Sequence, residues 1–276
     1  MNSSHITESL EAAVNSKRSG RLSRSAICVV TAGGPHPWII INALRLKFGA
    51  ITVIIEDPES RSTFLRRRAR LTGWFSTTGQ FATMLLVRAG KLVYSRRIKR
   101  LVAEHGIEVR QSADQSVVRV SSVNSAPFVE AIELLNPEVV LLAGCRIIKP
   151  GVLDRIGCPV LNYHAGITPQ YRGMNGGYWS LACGDRRNFG ATVHRVDAGV
   201  DTGAVIAQMR CDPAPDDNIM TYPYRLAAKS REICIAAVVD ALSGNLTPHF
   251  PDGRSRQWFH PTIWSYAWTG LTKGVW

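Results

Sequence analysis

The run Ala26-Ile27-Cys28-Val29-Val30-Thr31-Ala32-Gly33-Gly34-Pro35 decides the fold. A short continuous apolar stretch that ends in Gly-Gly-Pro predicts a buried strand entering a turn. A helix is expected to follow. Ile51-Thr52-Val53-Ile54-Ile55 is then a second strand, closed by the acidic turn Glu56-Asp57-Pro58. Strand, helix and strand in that order point to a parallel sheet.

Farther along, Val117 to Val120 resumes the strand pattern, and a helix over Pro127 to Leu135 leads into Glu138-Val139-Val140-Leu141-Leu142-Ala143, the strongest candidate for a central strand. Val160-Leu161-Asn162-Tyr163-His164 is another strand, reached through a short helix after Lys149-Pro150. Thr192 to Val196 and Ala204 to Gln208 read as two strands on either side of Asp197-Ala198-Gly199. A helix from about Thr221 to Leu242 has Thr221 as its cap, Pro223 in its first turn and Gly244 beyond its end. The last 25 residues hold four of the seven tryptophans and show no regular period.

A chain of 276 residues is long enough to bury a sizeable core. The first 25 residues are rich in Ser, Arg and Lys without an apolar core, which argues against a secretory signal and for a disordered polar tail over 1–25. No stretch is apolar over the 18 or more residues that a membrane span needs. The six cysteines stand singly with no C-x-x-C pair, so neither a metal site nor a disulfide framework is expected, and reduced thiols fit a cytoplasmic protein. Net charge is +12, and the eleven Arg and Lys between Ser60 and Ala103, with no Asp or Glu among them, supply nearly all of it. Apolar groups such as Trp74, Phe75, Leu85 and Leu86 are interleaved there, as in basic amphipathic helices. Three readings stay open for this segment: a solvated helical insertion, a landing surface for anionic membrane, or a field that draws in a phosphorylated substrate.

The densest cluster of polar and turn-forming residues runs from Asn162 to Gly173, directly after an apolar strand. Ligands of open parallel sheets sit beyond the carboxyl ends of the strands. Residues two apart on a strand share a face, so Asn162 and His164 project together into that crevice. A catalytic pair of this kind needs a carboxylate, and Asp201 in Val200-Asp201-Thr202-Gly203 is the candidate, although a turn Asp is equally ordinary there.

Asn162-x-His164, Pro169-x-Tyr171-Arg172-Gly173, Trp179, Gly184-Asp185, Gly190-x-Thr192-x-His194 and Asp201-Thr202-Gly203 together resemble the folate-dependent formyltransferase family. That family includes glycinamide ribonucleotide, methionyl-tRNA and sugar N-formyltransferases. The resemblance is specific over about residues 137 to 210 and weaker over the first strand and turn. It implies an α/β fold with a Rossmann-like, mostly parallel sheet flanked by helices. The catalytic domain would span 26–245 with a basic helical insertion at about 60–105, followed by an aromatic-rich extension over 246–276.

By the same resemblance, the chain is a formyltransferase that moves a formyl group from 10-formyltetrahydrofolate to an amine. Asn162 would donate to the carbonyl oxygen, His164 would stabilise the charge there and assist proton movement, and Asp201 would orient His164 and accept the amine proton. The folate would lie against backbone of two stretches, Cys145, Arg146 and Ile147 in one, Val196, Asp197 and Val200 in the other. His164-Ala165-Gly166 stands where the family often has His-Pro-Ser, and Cys145 replaces a common aromatic.

The acceptor is expected to be a small-molecule amine, foremost an amino sugar that is nucleotide-linked or part of a surface-glycan or lipid pathway. A methionyl-tRNA formyltransferase would give the basic charge a partner. Only 75 residues follow Asp201, which argues against nucleic acid. A formyltetrahydrofolate hydrolase or a non-catalytic membrane-surface module are the remaining readings. The expected location is the cytoplasm, with membrane association as an option.

Overall fold

Strand β1, Ile27–Thr31, sends alternate side chains to opposite faces of the sheet, and each face meets its own core. Ile27 and Val29 join one cluster with Trp38, Ile40 and Leu44; Cys28 and Val30 join another with Phe128 and Ile132. The computed structural model describes residues 26–276, so the expected polar tail over 1–25 lies outside the described residues.

Helix α1 (Pro35–Phe48) starts at the Gly33-Gly34 turn, with Pro in its first turn, and leads to β2 (Thr52–Glu56). Helices α2 (Arg61–Val93) and α3 (Ser95–Glu104) carry the basic segment, and Gly73, at φ 76°, breaks α2 into two rods. Strand β3 (Ser116–Val120), helix α4 (Ala126–Leu135), β4 (Val139–Leu142), the short α5 (Pro150–Leu153) and β5 (Val160–His164) follow. Next come β6 (Arg172–Gly173), α6 (Gly176–Ala182), β7 (Gly190–Arg195), β8 (Val205–Arg210), α7 (Tyr222–Leu242), β9 (Gln257–Trp258) and α8 (Ile263–Lys273).

The main sheet has seven strands in the order β3-β2-β1-β4-β5-β7-β8. The first five are parallel, and β7 and β8 add antiparallel strands at the far edge. This is a mostly parallel, Rossmann-like sheet with helices on both faces. The chain runs outward from β1 to β3, then returns to β4 on the other side, so the strand order reverses between β1 and β4. There Thr31 Oγ1 donates to the carbonyl of Ala143 at 2.7 Å, and Ala32 N to that of Gly144 at 2.9 Å. A crevice beyond these strand ends is where such folds place ligands.

Two local expectations change. Thr221 does not cap α7 with its side chain; its hydroxyl donates to Asp217 and accepts from Asn218 N. The C-terminal stretch is not irregular, because Thr262 Oγ1 accepts from Ser265 N and starts α8. Its period is hidden by apolar residues on both sides: Tyr266 is buried, whereas Trp268 and Leu271 are exposed.

Candidate active site

Asn162 and His164 share one face of β5, as strand alternation requires, and the antiparallel pairing with β7 sets His194 opposite Asn162 and Thr192 opposite His164. Asp201 comes from the β7–β8 connection and has φ 50°, a left-handed conformation that Asp tolerates better than most residues. Gly203, two residues on, leaves room for this turn: a Cβ there would come within 1.7 Å of the Arg195 carbonyl oxygen. The Asp201 side chain is only 13% exposed.

Four groups converge on that carboxylate. Asn162 Nδ2 donates to Oδ1 at 3.0 Å, and Gly173 N donates to Oδ2 at 2.8 Å. His164 Nδ1 stands 3.4 Å from Oδ2, and His194 Nε2 stands 3.3 Å from Oδ1. Burial works to raise the Asp201 pKa, but the charges of His164 and His194 and the Gly173 hydrogen bond outweigh it and hold the carboxyl below its ordinary range.

The ring nitrogens have assignable roles. His164 Nε2 lies 2.7 Å from the Tyr171 carbonyl oxygen, so it carries the hydrogen donated there, and Nδ1 faces the carboxylate. His194 Nδ1 donates to the Arg195 carbonyl at 2.9 Å, and Nε2 stands 3.0 Å from Asn162 Nδ2 and 3.3 Å from Asp201 Oδ1. Asn162 therefore points its amide nitrogen at Asp201 and His194 together, which fixes the amide against a flip.

A cleft opens beside this cluster. It is lined by Cys145, Arg146 and Ile147 after β4, by Val196, Asp197 and Val200 after β7, and by Asn162, His194 and Asp201 at its inner end. The two charged side chains at its rim are tied elsewhere. Arg146 Nε donates to Glu56 at 2.7 Å and its guanidinium to the Ser121 carbonyl at 2.9 Å. Asp197 Oδ1 accepts from Gly199 N at 3.0 Å and Thr202 Oγ1 at 2.7 Å. Leu142 and Ile148 complete the walls, which with Ile147, Val196 and Val200 form a largely apolar slot. His164 does not line it; the imidazole sits behind Asp201.

Sequence reasoning left His194 as one letter of a pattern and did not see Gly173 N. The signal for His194 was present in Thr192-x-His194, which repeats on β7 the alternation of Asn162-x-His164. Gly166 also has a sharper role than a loose loop residue. A Cβ at Gly166 would meet the Tyr171 carbonyl oxygen at 2.5 Å and His164 Nε2 at 2.6 Å. Gly166→Ala should therefore push His164 off Tyr171, cost about 1–3 kcal/mol and reduce turnover; a variant with unchanged melting temperature and turnover would contradict this contact. Among the described residues, no group of His, Cys, Asp and Glu is placed to hold a metal ion.

A mostly parallel sheet with an apolar cleft beyond its carboxyl ends, with Asn162, His194 and a buried Asp201 at the inner end, defines an open-sheet α/β protein with a candidate ligand site. Residues 83–238, more than half of the chain, match the formyl transferase family model. The chain belongs to the formyl transferase family. It is 36% identical over 160 residues to the methionyl-tRNA formyltransferase of Burkholderia multivorans, covering 56% of this chain and 46% of that protein. The chain thus spans about half the length of the curated relatives it matches. The fold resembles that of a 4-N formyltransferase from Francisella tularensis, with TM-score 0.53, 13% identity, and coverage of 87% of this chain and 77% of the other. It also resembles an N-formyltransferase from Helicobacter canadensis, solved with folinic acid and dTDP-3-aminofucose, with TM-score 0.52, 14% identity and coverage of 84% and 70%.

Proposed function

We propose that this chain transfers a formyl group from 10-formyltetrahydrofolate to an amine, with Asn162, His164 and Asp201 as catalytic residues. The observation that carries the reading is the convergence of Asn162, His164, His194 and Gly173 N on one buried, ionised carboxylate at the inner end of an apolar slot. Several features of the slot suit the donor: its walls are largely aliphatic, the Arg146 guanidinium is paired with Glu56, and the Asp197 carboxylate accepts from Gly199 N and Thr202 Oγ1. Cys145, Arg146, Ile147, Val196, Asp197 and Val200 would hold it, Arg146 and Asp197 through their backbone.

The donor, when bound, supplies an electrophilic formyl carbon on a nitrogen. The new bond joins the amine nitrogen to that carbon, the bond from the carbon to the donor nitrogen breaks, and one amine proton ends on the donor nitrogen. Asn162 turns one amide N–H from its present acceptors to the carbonyl oxygen as charge develops there. Asp201 takes the proton from the attacking amine, and His164, 3.4 Å away, orients the carboxylate and relays the proton. His194 holds Asn162 in the donating orientation.

The acceptor we infer is an amino sugar carried on phosphate, nucleotide- or lipid-linked. Its support is the net charge of +12 and the stacked Trp179 and Trp258, 4.5 Å apart, beside the loop that reaches Asp201. The second reading is methionyl-tRNA formylation, favoured by the 36% identity to the Burkholderia enzyme. An assay of tetrahydrofolate release separates them when nucleotide-linked amino sugars and methionyl-tRNA are offered in parallel. Release with an amino sugar supports the first reading, release with tRNA alone the second, and release without any acceptor makes the chain a hydrolase.

A further inference from the structure

Beyond Gly73, helix α2 is inside out. The residues it buries there are Thr77, Gly79, Gln80 and Thr83, none of them a large apolar side chain. Its outward side carries Trp74, Phe75, Leu85, Leu86, Leu92 and Val93, which are 41–79% exposed. At about 100° per residue, Trp74, Leu85 and Leu92 fall in one row, with Phe75, Leu86 and Val93 in the row beside it. Helix α8 extends the face: Trp264 stacks on Phe75 at 4.4 Å and lies so close over Gly79 that a Cβ there would come within 2.3 Å of its ring. Trp268 and Leu271 of α8 are 69% and 78% exposed. Single exposed apolar residues are ordinary, but a contiguous stripe marks an interaction surface.

The charge around the stripe says what covers it. Arg61, Arg66 and Arg70 stand before the kink, and Arg88, Arg96 and Lys99 toward and beyond the end of the helix; among the described residues none of the six has an ion-pair partner. No Asp or Glu lies between residues 60 and 103, and none follows Asp252. A hollow of about 220 Å³ is lined by Arg66, Ala69, Arg70 and Trp74, two cationic residues and an indole among them. A second copy would set this basic collar against itself. Among the described residues no helix is long and apolar enough to cross a membrane, so a helix of this kind lies in the plane of the interface, apolar side down, with its cations among the headgroups.

We propose that the outward face of α2 and α8 docks on an anionic phospholipid bilayer, with Trp74, Leu85 and Leu92 at the acyl boundary and Arg66 and Arg70 on lipid phosphates. The docked helix also touches the catalytic loop. Arg68 packs its guanidinium over the Phe259 ring at 4.4 Å, and the adjacent His260 bonds Asn175 at 2.8 Å, two residues from Gly173.

The test is flotation of the full chain with vesicles of phosphatidylcholine alone and of equal parts phosphatidylcholine and phosphatidylglycerol. The wild type should float with the anionic vesicles only, and less so as salt rises. Arg66→Gln with Arg70→Gln should weaken partitioning by about tenfold to thirtyfold, and Trp74→Glu with Leu85→Glu should abolish it, with melting temperatures showing that both variants fold. Equal partitioning on both vesicles, or none on either, overturns the proposal. So does a lipid-free dimer that the Glu pair dissociates, since the face then belongs to a second copy. No folate or amine enters this assay, so its failure leaves formyl transfer standing, and a failed transferase assay leaves the membrane face standing.

Discussion

Asp201→Asn is expected to lower kcat by about a hundred- to ten-thousandfold in a chain that still folds. Asn is nearly isosteric and tolerates the left-handed backbone at this position, φ 50°, so the main change is electrostatic. The carboxylate now accepts from Asn162 Nδ2 and Gly173 N on its two oxygens. An amide offers one acceptor and turns an NH2 toward a donor, and it cannot take the amine proton. Because the folded-state pKa of Asp201 is depressed, the group stays ionised through the ordinary carboxylate range and gives the rate profile no acid limb of its own. A depressed acid stabilises the fold fully above its unfolded value near about pH 4 and loses that contribution as pH falls through the folded value. The stability gap between wild type and Asp201→Asn should therefore be largest at neutral pH and shrink in acid. Denaturant titrations at neutral and strongly acidic pH check this, and a variant with wild-type turnover would remove Asp201 from the mechanism.

His164→Asn should cost about a hundredfold or more in kcat, with KM for the folate donor nearly unchanged. The separation follows from position: His164 contacts Asp201 and the Tyr171 carbonyl but does not line the cleft. A loss confined to KM would move His164 from proton handling to donor binding. Asn keeps a hydrogen-bond donor near Tyr171, so the melting temperature tells whether a lost rate reflects chemistry or a displaced loop.

The parts of this molecule legible in the sequence are those where burial is two-sided or alternation is strict. The run Ile27–Thr31 could only be a strand covered on both faces, and Asn162 and His164 had to share a side of β5. Asp201 was a harder case. It lies 39 residues from Asn162, and the antiparallel pairing of β5 with β7 brings it back, a contact no local pattern encodes; its turn made it a candidate no stronger than an ordinary turn Asp, and the family resemblance gave it a role. His194 was missed as a functional residue because a His inside an apolar strand reads as core. Helix α8 was missed because its tryptophans lie on both the buried and exposed sides, which erases the 3.6-residue period. The orientation of α2 was not decided by its pattern. The sequence left a solvated insertion and a membrane landing surface both open; the structure buries Gln80 and Thr83 and leaves Leu85 and Leu92 exposed.

The fold gathers the candidate catalytic residues in one place. β4, β5 and β7 deliver the slot and the Asn-His-Asp cluster to one place, and the polar network there leaves each ring nitrogen with a defined partner. The loop at Gly173–Asn175, which reaches Asp201, bonds His260, and the neighbouring Phe259 carries the Arg68 guanidinium of the basic helix.

The most direct measurement of the central claim is tetrahydrofolate release from 10-formyltetrahydrofolate, followed with and without nucleotide-linked amino sugars, for the wild type and Asp201→Asn side by side. Formyl transfer through this site predicts release that requires an amine acceptor, yields one formylated amine per tetrahydrofolate, and falls by about two orders of magnitude or more in the variant. Release at the same rate without acceptor, or equal release by both proteins, would contradict it.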